Sequence, residues 1–357
     1  MAVIGGGPAG AACAIALGCM GHSVILIEKS AYGGFRIGET LPPAVQPLLT
    51  KLCVWEKFLA DNHSRSFGIC SAWGQEGSRR KDFMFSPYGS GWHIDRPRFD
   101  AMLAHSAAET GATVWRGSRL LSCERLNDCW SIEISCAGKT RLLLAQVLVD
   151  ASGRASHVAR KLGAKRFTYD RLIGVVFFFS LHRRRAEHDC FTLIEAVEDG
   201  WWYFAKLPGS RAVLVYMTDA DLFASQFTGK RNSCLRNIKS TRQMQLRLRG
   251  YQQCDGPFIF PANSSRLDRA SGESWLAIGD SALAFDPLSG QGVYKALETG
   301  YDSAKVIGAH LSGNTFALLD YAANVEQVFN AYLSMRKNTY SRIEEWRESV
   351  FWHRRTL

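Results

Sequence analysis

The sequence has no long apolar run and no paired cysteine motif, and these two absences exclude several classes of protein. A membrane-spanning helix needs about 20 consecutive apolar residues. The longest candidate, Leu172 to Leu181, is shorter and rich in β-branched and aromatic residues, so we expect a buried strand and no membrane partner. The ten cysteines include no Cys-x-x-Cys pair. We therefore expect free thiols in a reducing compartment and no metal site.

The N-terminus also lacks a basic leading region, and glycines interrupt its apolar residues. These features predict no signal peptide and favour a cytoplasmic location. The charge balance is basic, because 43 lysine and arginine residues outnumber 33 acidic residues. No nucleic-acid-binding motif accompanies this charge, so we expect no nucleic-acid partner. Solvated surfaces, an anionic cofactor and an acidic protein partner all remain consistent with it.

What is present at the start of the chain is a strand–turn–helix–strand pattern. A short apolar strand, Ala2 to Ile4, leads into Gly5-Gly6-Gly7-Pro8-Ala9-Gly10, which is a Gly-x-Gly-x-x-Gly turn. A small-residue helix from Ala11 to Gly18 follows, and a second strand from Ser23 to Ile27 ends at Glu28. This order predicts a βαβ unit that binds a dinucleotide.

Each part of this turn has a physical role in binding. Gly5 permits the tight turn, Gly7 lets a pyrophosphate approach the backbone, and Gly10 lets the helix pack on the strand. The helix N-terminus directs N–H groups at the phosphates, and a carboxylate at Glu28 can accept from ribose hydroxyls. The predicted dinucleotide contacts in this part of the chain are Gly5, Gly7, Pro8, Ala9, Gly10, Glu28 and Lys29. The pattern alone does not separate NAD from FAD.

A second signature, near residue 280, indicates which dinucleotide is bound. Ser274 to Asp280 reads as a buried strand ending in Gly-Asp, which suits a carboxylate bonded to a ribityl hydroxyl. The turn Asp286-Pro287-Leu288-Ser289-Gly290-Gln291-Gly292 then leads into a helix from Val293 to about Leu311. Such a turn can place backbone N–H groups against an isoalloxazine ring. A third signature, Val147 to Arg154, is a strand followed by Asp150 and a small-residue turn.

These three signatures, in this order, resemble those of the FAD-dependent aromatic hydroxylase superfamily. The resemblance implies an α/β fold with a Rossmann-type FAD-binding domain, an inserted antiparallel-sheet substrate domain and C-terminal helices, and it implies FAD as the cofactor. We expect the FAD domain in residues 1–62, 92–165 and 265–310, the substrate domain in 63–91 and 166–264, and the C-terminal helices in 311–357. No second Gly-x-Gly-x-x-Gly follows a strand elsewhere, as expected for a superfamily with one dinucleotide domain.

The loop Gly38-Glu39-Thr40-Leu41-Pro42-Pro43 resembles the branch of the superfamily that contains tryptophan halogenases and their relatives. The chain departs from halogenases in three places. Their catalytic lysine has no counterpart, since no lysine occurs between Lys57 and Lys81. Their Trp-x-Trp-x-Ile-Pro pattern is replaced by GWWYFAKLP at residues 200–208, and their glutamate is missing from Pro287-Leu288-Ser289-Gly290. These departures disfavour halogenation.

The chain is more similar to the flavoprotein modifying enzymes of tryptophylquinone biosynthesis, and the segment 344–355 extends that resemblance. The resemblance implies an FAD-dependent monooxygenase that hydroxylates a tryptophan in the precursor of a quinoprotein oxidase or dehydrogenase. O₂ and an unassigned reductant would be its co-substrates. A small-molecule hydroxylase or halogenase of the same fold, and a non-catalytic flavoprotein maturation factor, remain as alternatives.

The middle of the chain predicts the enclosure that oxygen chemistry requires. Four apolar segments read as strands of one antiparallel sheet over the flavin, at residues 172–179, 191–195, 201–206 and 212–218, and such a sheet would exclude water. The candidate catalytic residues are Glu39, Trp201, Pro287 and Ser289, with Trp202 and Tyr203 as further candidates for contacting substrate. The remaining candidates for binding FAD are Arg36, Arg98, Asp280, Gly290, Gln291 and Gly292.

Overall fold

The computed structural model describes residues 1–74, 77–181, 190–226 and 231–356. In chain order the strands are β1 Ala2–Ile4, β2 Ile25–Ile27, β3 Thr40–Leu41, β4 Ser64–Ser66, β5 Gly68–Ala72, β6 Ser78–Asp82, β7 Gly91–His93, β8 Thr113–Trp115, β9 Ser118–Leu126, β10 Cys129–Cys136, β11 Lys139–Ala145, β12 Leu148–Asp150, β13 Arg166–Thr168, β14 Leu172–Leu181, β15 Phe191–Val197, β16 Gly200–Leu207, β17 Arg211–Asp219, β18 Tyr251–Pro261, β19 Ser265–Leu267, β20 Ser271–Gly272, β21 Trp275–Ala277 and β22 Leu283–Ala284.

The helices fall between and after these strands. In chain order the α-helices are α1 Pro8–Cys19, α2 Val45–Lys51, α3 Trp55–Ala60, α4 Arg96–Glu109, α5 His157–Lys161, α6 Ala220–Gln226, α7 Gln243–Arg247, α8 Gly292–Leu311, α9 Ala317–Tyr340 and α10 Val350–Thr356. Short 3₁₀ turns occupy Gly153–Ala155, Arg231–Ser240, Gly279–Ser281 and Pro287–Ser289. Among the described residues, none of the helices combines the length and the apolarity that crossing a membrane requires.

A six-stranded sheet in the order β20-β21-β12-β1-β2-β8 forms the first layer. The strands β21, β12, β1, β2 and β8 run parallel, and β1 and β12 are buried along their whole length. This matches their continuous apolar sequence, which is typical of parallel strands covered on both faces. The predicted βαβ unit is confirmed, and the parallel strands β12 and β21, which lead to Asp150 and Asp280, end at the same edge of the sheet.

Small residues let α1 lie between this sheet and α8. Ten of its twelve residues are buried. A Cβ on Gly300 of α8 would overlap the backbone of Ala9, so the two helices approach each other closely at that point. The N-terminus of α1 is therefore held at a fixed position beside the turn that precedes it.

The second layer is a seven-stranded sheet in the order β18-β14-β17-β16-β15-β5-β6. The four strands predicted in the middle of the chain are present and adjacent as antiparallel neighbours. The sheet is not wholly antiparallel, because β5 pairs with β15 in parallel. The reason is connectivity: hairpin neighbours must run antiparallel, whereas β5 enters from residues 68–72, an earlier segment that no hairpin links to β15.

Alternation along the strands divides this sheet into two buried faces. In β16, Trp201 and Ala205 pack on the face that also contains Tyr340 and Trp352, while Trp202 and Phe204 pack on the opposite face. The first face is covered by the C-terminal helices. Phe35 and Leu288, which belong to the 30–36 loop and the 286–292 turn, also pack against it. The domain boundaries predicted above stay a prediction, although residues 68–82 and 172–261 do contribute strands to one sheet.

Candidate active site

One elongated cavity of about 970 Å³ runs between the two main sheets. Its volume lies at the upper end of the range for small-molecule and cofactor sites. At one end it is lined by the turn after β1 and by the ends of β2 and β12, and at the other end by strands of the seven-stranded sheet. The cavity thus connects the predicted dinucleotide site with the predicted substrate enclosure.

The glycine turn at the start of the chain has the shape that a pyrophosphate requires. Gly5 has a φ of +112°, and a Cβ there or at Gly10 would overlap backbone atoms of the turn or of the 151–152 segment. At Gly7 the nearest atom to such a Cβ is Arg36 Nη1, 4.0 Å away, so this glycine faces the cavity with open space before it. The N-terminus of α1 carries no side-chain cap, which leaves its N–H groups available to an anion.

Glu28, at the end of β2, is tied into the loop that follows it. Its carboxylate is buried and accepts from Gly6 N at 2.7 Å and from Arg36 Nη2 at 2.9 Å. Arg36 also pairs with the buried Asp100 at 2.7 Å. Glu28, Lys29 and Arg36 all line the cavity, as their predicted roles require. These two ion pairs fix the position of the loop at residues 30–36 beside the dinucleotide end of the cavity.

Asp280 follows β21, and it is the residue predicted to bond a ribityl hydroxyl. Its side chain is 39% exposed and lines the cavity, and its Oδ2 is 3.5 Å from Arg154 Nε. Asp150 is different: it is fully buried and accepts from Ser152 and from Ser281 Oγ at 2.9 Å. Asp150 therefore joins β12 to the 279–281 turn, while Asp280 presents its carboxylate to the cavity.

The turn between Asp286 and Gly292 forms one wall of the cavity through Pro287, Gly290 and Gly292. Asp286 caps the 3₁₀ turn by accepting from Leu288 N at 2.9 Å. The candidate Ser289 contributes to this turn instead of lining the cavity, because its hydroxyl donates to Asp286 O at 3.3 Å. Gln291 is the residue before α8 and likewise does not line the cavity.

At the other end of the cavity the wall is apolar, and one carboxyl group faces it. Glu39 is 5% exposed, and its Oε1 has no hydrogen-bond partner. Burial raises its pKa to about 7, although Arg96 acts in the opposite direction. Tyr203 Oη lies 2.5 Å from Thr40 Oγ1, and burial together with nearby Glu39 raises the pKa of Tyr203. The apolar part of the wall comprises Val176, Val215, Met217, Phe260 and Ala262.

Besides Ser289 and Gln291, three candidate residues lie outside the cavity lining: Trp201, Arg98 and Trp202, the last of which packs on the opposite face of the sheet. Trp201 is fully buried behind the C-terminal helices and donates from Nε1 to Tyr340 Oη at 3.0 Å. Arg98 donates to Asp61 O at 2.8 Å and lies outside the cavity lining. The arginine that the start of α4 contributes to the cavity is Arg96, which donates to Ile37 O and pairs with Asp100 at 3.1 Å. Helix geometry explains the difference, since the two arginines are two positions apart on α4 and cannot share a face.

Comparison with known proteins gives the class of this site. Residues 1–170 match the family model for FAD-dependent oxidoreductases. LodB of Marinomonas mediterranea, which is named as an FAD-dependent oxidoreductase, is 28% identical over 99% of this chain and 95% of its own length. These similarities show a flavin oxidoreductase enzyme that uses FAD. The predictions of a flavin-dependent enzyme and of FAD as its cofactor are confirmed.

This flavoenzyme is also similar to flavin-dependent halogenases. The halogenase armH4 of Armillaria mellea is 30% identical over 87% of this chain and 65% of its own length. The crystal structure of the flavin-dependent halogenase CmlS matches with a TM-score of 0.89 and 24% identity, over 99% of this chain and 66% of CmlS. The chain thus spans about two thirds of the length of these two halogenases. The predicted α/β fold with a Rossmann-type FAD domain is confirmed.

A further solved structure is that of QhpG, described as a peptidyl tryptophan dihydroxylase essential for tryptophylquinone cofactor biogenesis. It matches with a TM-score of 0.78 and 22% identity, over 99% of this chain and 78% of QhpG. At that identity the similarity establishes a shared fold. FAD fits the cavity of this flavoenzyme, because the open face of Gly7, the uncapped N-terminus of α1 and the exposed carboxylate of Asp280 are the groups that its pyrophosphate and ribityl chain require.

Proposed function

We propose that this flavoenzyme is a monooxygenase that hydroxylates a tryptophan side chain in a precursor protein, during formation of a tryptophylquinone cofactor. The similarity to LodB along nearly the full length of both chains supports the flavin-dependent oxidoreductase part of this assignment. The shared fold with QhpG supports it as well, since that protein is described as acting on a peptidyl tryptophan. The cytoplasmic location stays a prediction.

The observation that carries the proposal is the chemistry of the substrate end of the cavity. Among the described residues that line the cavity, the lysines are Lys29 and Lys161, which lie at the dinucleotide end beside Glu28 and His157. The substrate end instead offers Glu39, Thr40 and Tyr203 within an apolar wall. The resemblance to halogenases implies a lysine that positions the halogenating species, and this end of the cavity provides none.

Bound FAD would pass the reductant's electrons to O₂ and supply the oxygen-transfer chemistry, and the chain supplies the surroundings. The apolar wall of Val176, Val215, Met217 and Phe260 excludes water and accommodates an indole ring. Hydroxylation replaces a ring C–H by C–OH, so a proton must leave the ring carbon. The unpartnered Oε1 of Glu39, with a pKa of about 7, is suited to accept that proton at neutral pH. One oxygen atom of O₂ enters the ring, and the other leaves as water with two electrons and two protons from the reductant.

The test is oxygen incorporation into a protein. The FAD-loaded enzyme is incubated with a reductant, O₂ and a quinoprotein precursor, and the tryptic peptides of the precursor are weighed. We expect a tryptophan peptide to gain the mass of one or two oxygen atoms, with the label retained when ¹⁸O₂ is used. Asp280→Ala, which removes the carboxylate facing the ribityl position, is expected to lose FAD and this activity. An unmodified precursor after complete flavin reoxidation would contradict the proposal.

Halogenation of a small molecule is the second candidate, favoured by the 30% identity to armH4 and by the TM-score of 0.89 to CmlS. It predicts that free indoles or phenols gain bromine or chlorine when halide is added and no precursor is present. Halogenated product at a rate above that of precursor oxygenation would favour this candidate. A non-catalytic maturation role would be favoured if FAD-free Asp280→Ala still supported maturation of the partner.

A further inference from the structure

The strand β6 is an exposed edge of the seven-stranded sheet. All five of its residues, Ser78 to Asp82, are exposed, and among the described residues β5 is the one strand that pairs with it. An edge strand presents a row of backbone N–H and C=O groups that can pair with another extended chain. Three consecutive cationic residues, Arg79, Arg80 and Lys81, occupy this edge, and the guanidinium of Arg80 is held 4.3 Å from the ring centre of Phe191.

The loop that follows β6 adds apolar side chains to this basic edge. Met84 is 74% exposed and Phe85 is 85% exposed, and Tyr88 is also exposed. By contrast, Phe83 is buried and packs so closely on Gly91 that a Cβ there would overlap its ring. The loop is therefore anchored at its base while its apolar tip projects into solvent, which is a typical arrangement for a protein-binding surface.

The same loop leads directly to the substrate end of the cavity. It ends at β7, and β7 pairs with β3 through Leu41–Trp92 and Thr40–His93. Thr40 and the preceding Glu39 line the cavity. The exposed edge and the apolar tip are thus continuous with the strand pair that carries the proposed proton acceptor.

We infer that the edge strand β6 and the loop 83–90 bind an acidic, extended segment of the protein substrate as an added strand, so that a tryptophan in the adjoining segment reaches the cavity. The inference rests on the proposed function and specifies how its substrate docks. Backbone pairing identifies an extended peptide as the partner, since no lipid headgroup can continue a strand ladder. Lys81 and the basic character of this edge select acidic side chains, and the exposed Met84 and Phe85 select apolar ones.

A second basic edge strand supplies a matched control. The strand β11 is the edge of the meander β11-β10-β9, and it exposes Lys139 and Arg141 together with Leu142 and Leu144. The meander lines the dinucleotide end of the cavity through Ser118, Arg119 and Leu120 of β9. Its edge therefore has similar composition but no connection to the residues around Glu39.

The experiment measures peptide binding to the FAD-loaded, full-length enzyme by fluorescence anisotropy. The probe is a fluorescein-labelled synthetic peptide of alternating glutamate and valine with one central tryptophan. We expect saturable binding that weakens as salt is added, and a loss of affinity of about tenfold or more in Lys81→Glu/Phe85→Ser. The matched variant Lys139→Glu/Leu142→Ser is expected to bind like the wild type. Peptides with lysine for glutamate, or with proline at alternate positions, are expected not to bind.

Several outcomes would overturn the inference. Equal affinity of both variants for the probe would do so, as would binding of the proline-containing peptide, which cannot form a strand ladder. Equal loss of binding to phosphatidylserine-containing vesicles and to the peptide would instead assign the surface to an anionic membrane.

Precursor oxygenation separates this inference from the proposed function. If both variants oxygenate the precursor like the wild type, docking at β6 is wrong and the function stands. If the peptide binds at β6 but no precursor is oxygenated, the function is wrong and the docking surface stands.

Discussion

The hydroxyl of Tyr340 donates to Oδ2 of Asp286 at 2.8 Å and joins the end of α9 to the turn that lines the cavity at residues 286–292. Arg336 Nε is 3.3 Å from the same carboxylate oxygen, and Asp286 N donates to Tyr332 Oη at 2.7 Å. Tyr332, Arg336 and Tyr340 are spaced four residues apart and so share one face of α9. Trp201 adds a bond from the sheet to Tyr340. A single helix face thus fixes the turn that contains Pro287, Gly290 and Gly292.

Removing the Tyr340 hydroxyl tests this arrangement. In Tyr340→Phe the buried carboxylate of Asp286 loses a donor and Trp201 Nε1 loses its acceptor. We expect a loss of about 1–3 kcal/mol in the free energy of unfolding and weaker FAD binding, because the turn is less constrained. Urea unfolding and FAD titration measure the two effects. Tyr301→Phe on α8 is the control, since Tyr301 is not among the residues that bond Asp286. Unchanged FAD affinity in Tyr340→Phe would contradict a positioning role.

The same substitution at two glycines of the first turn is expected to affect the stability of the FAD-free protein differently. In Gly10→Ala the new Cβ would overlap Gly5 O, so the turn must shift, and we expect lower stability of the FAD-free protein as well as loss of FAD. In Gly7→Ala the nearest atom is 4.0 Å away, so the FAD-free protein should be as stable as the wild type. Its FAD affinity should fall, because the methyl group occupies the approach of the pyrophosphate. Thermal unfolding without FAD and FAD titration separate the two variants.

Because Glu39 is buried, we expect the free energy of unfolding of the FAD-free protein to depend on pH. Its pKa is raised from 4.5 in the unfolded chain to about 7 in the folded protein, mainly by burial. Between these values the folded state holds a proton that the unfolded state has released, so wild-type stability falls as pH rises from about 4.5 to about 7 and then levels off. Glu39→Gln cannot titrate and should escape this loss, which is on the order of 3 kcal/mol. Urea unfolding of both proteins across this range measures it, and parallel pH curves would contradict the prediction.

Two ion pairs join the C-terminal helix to the end of β17 and the start of α6, and comparing them tests how burial changes the contribution of an ion pair to stability. Asp219 and Arg355 are 1% and 3% exposed, and their closest atoms are 2.6 Å apart. Removing the charge in Asp219→Asn leaves Arg355 buried and uncompensated, so we expect a loss of about 3–5 kcal/mol in the free energy of unfolding. The nearby Asp221 is 38% exposed and pairs with Arg354 at 2.8 Å. For Asp221→Asn we expect a loss of about 1 kcal/mol or less. Similar losses in the free energy of unfolding for the two variants would contradict the prediction that the buried ion pair contributes more.

Local sequence determined the features in which neighbouring residues fix the conformation of the backbone. The turn from Gly5 to Gly10 was readable because only glycine fits its close approaches, and β14 was readable as an unbroken apolar run. The same holds for the Gly-Asp strand end at Asp280. These elements carried the family resemblance that implied the fold class and FAD as the cofactor, and they indicated one end of the cavity.

Tertiary structure decided what depends on residues far apart in the chain. The direction of β5 beside β15, the choice of Arg96 over Arg98, and the burial of Trp201 behind Tyr340 each rest on contacts that no local pattern encodes. Asp286 shows the reason most clearly. In the sequence it is one polar residue in a turn, but in the structure Tyr332, Arg336 and Tyr340 meet it from a helix about fifty residues later. A buried carboxylate is stable only where several donors converge, and that convergence exists only once the chain has folded.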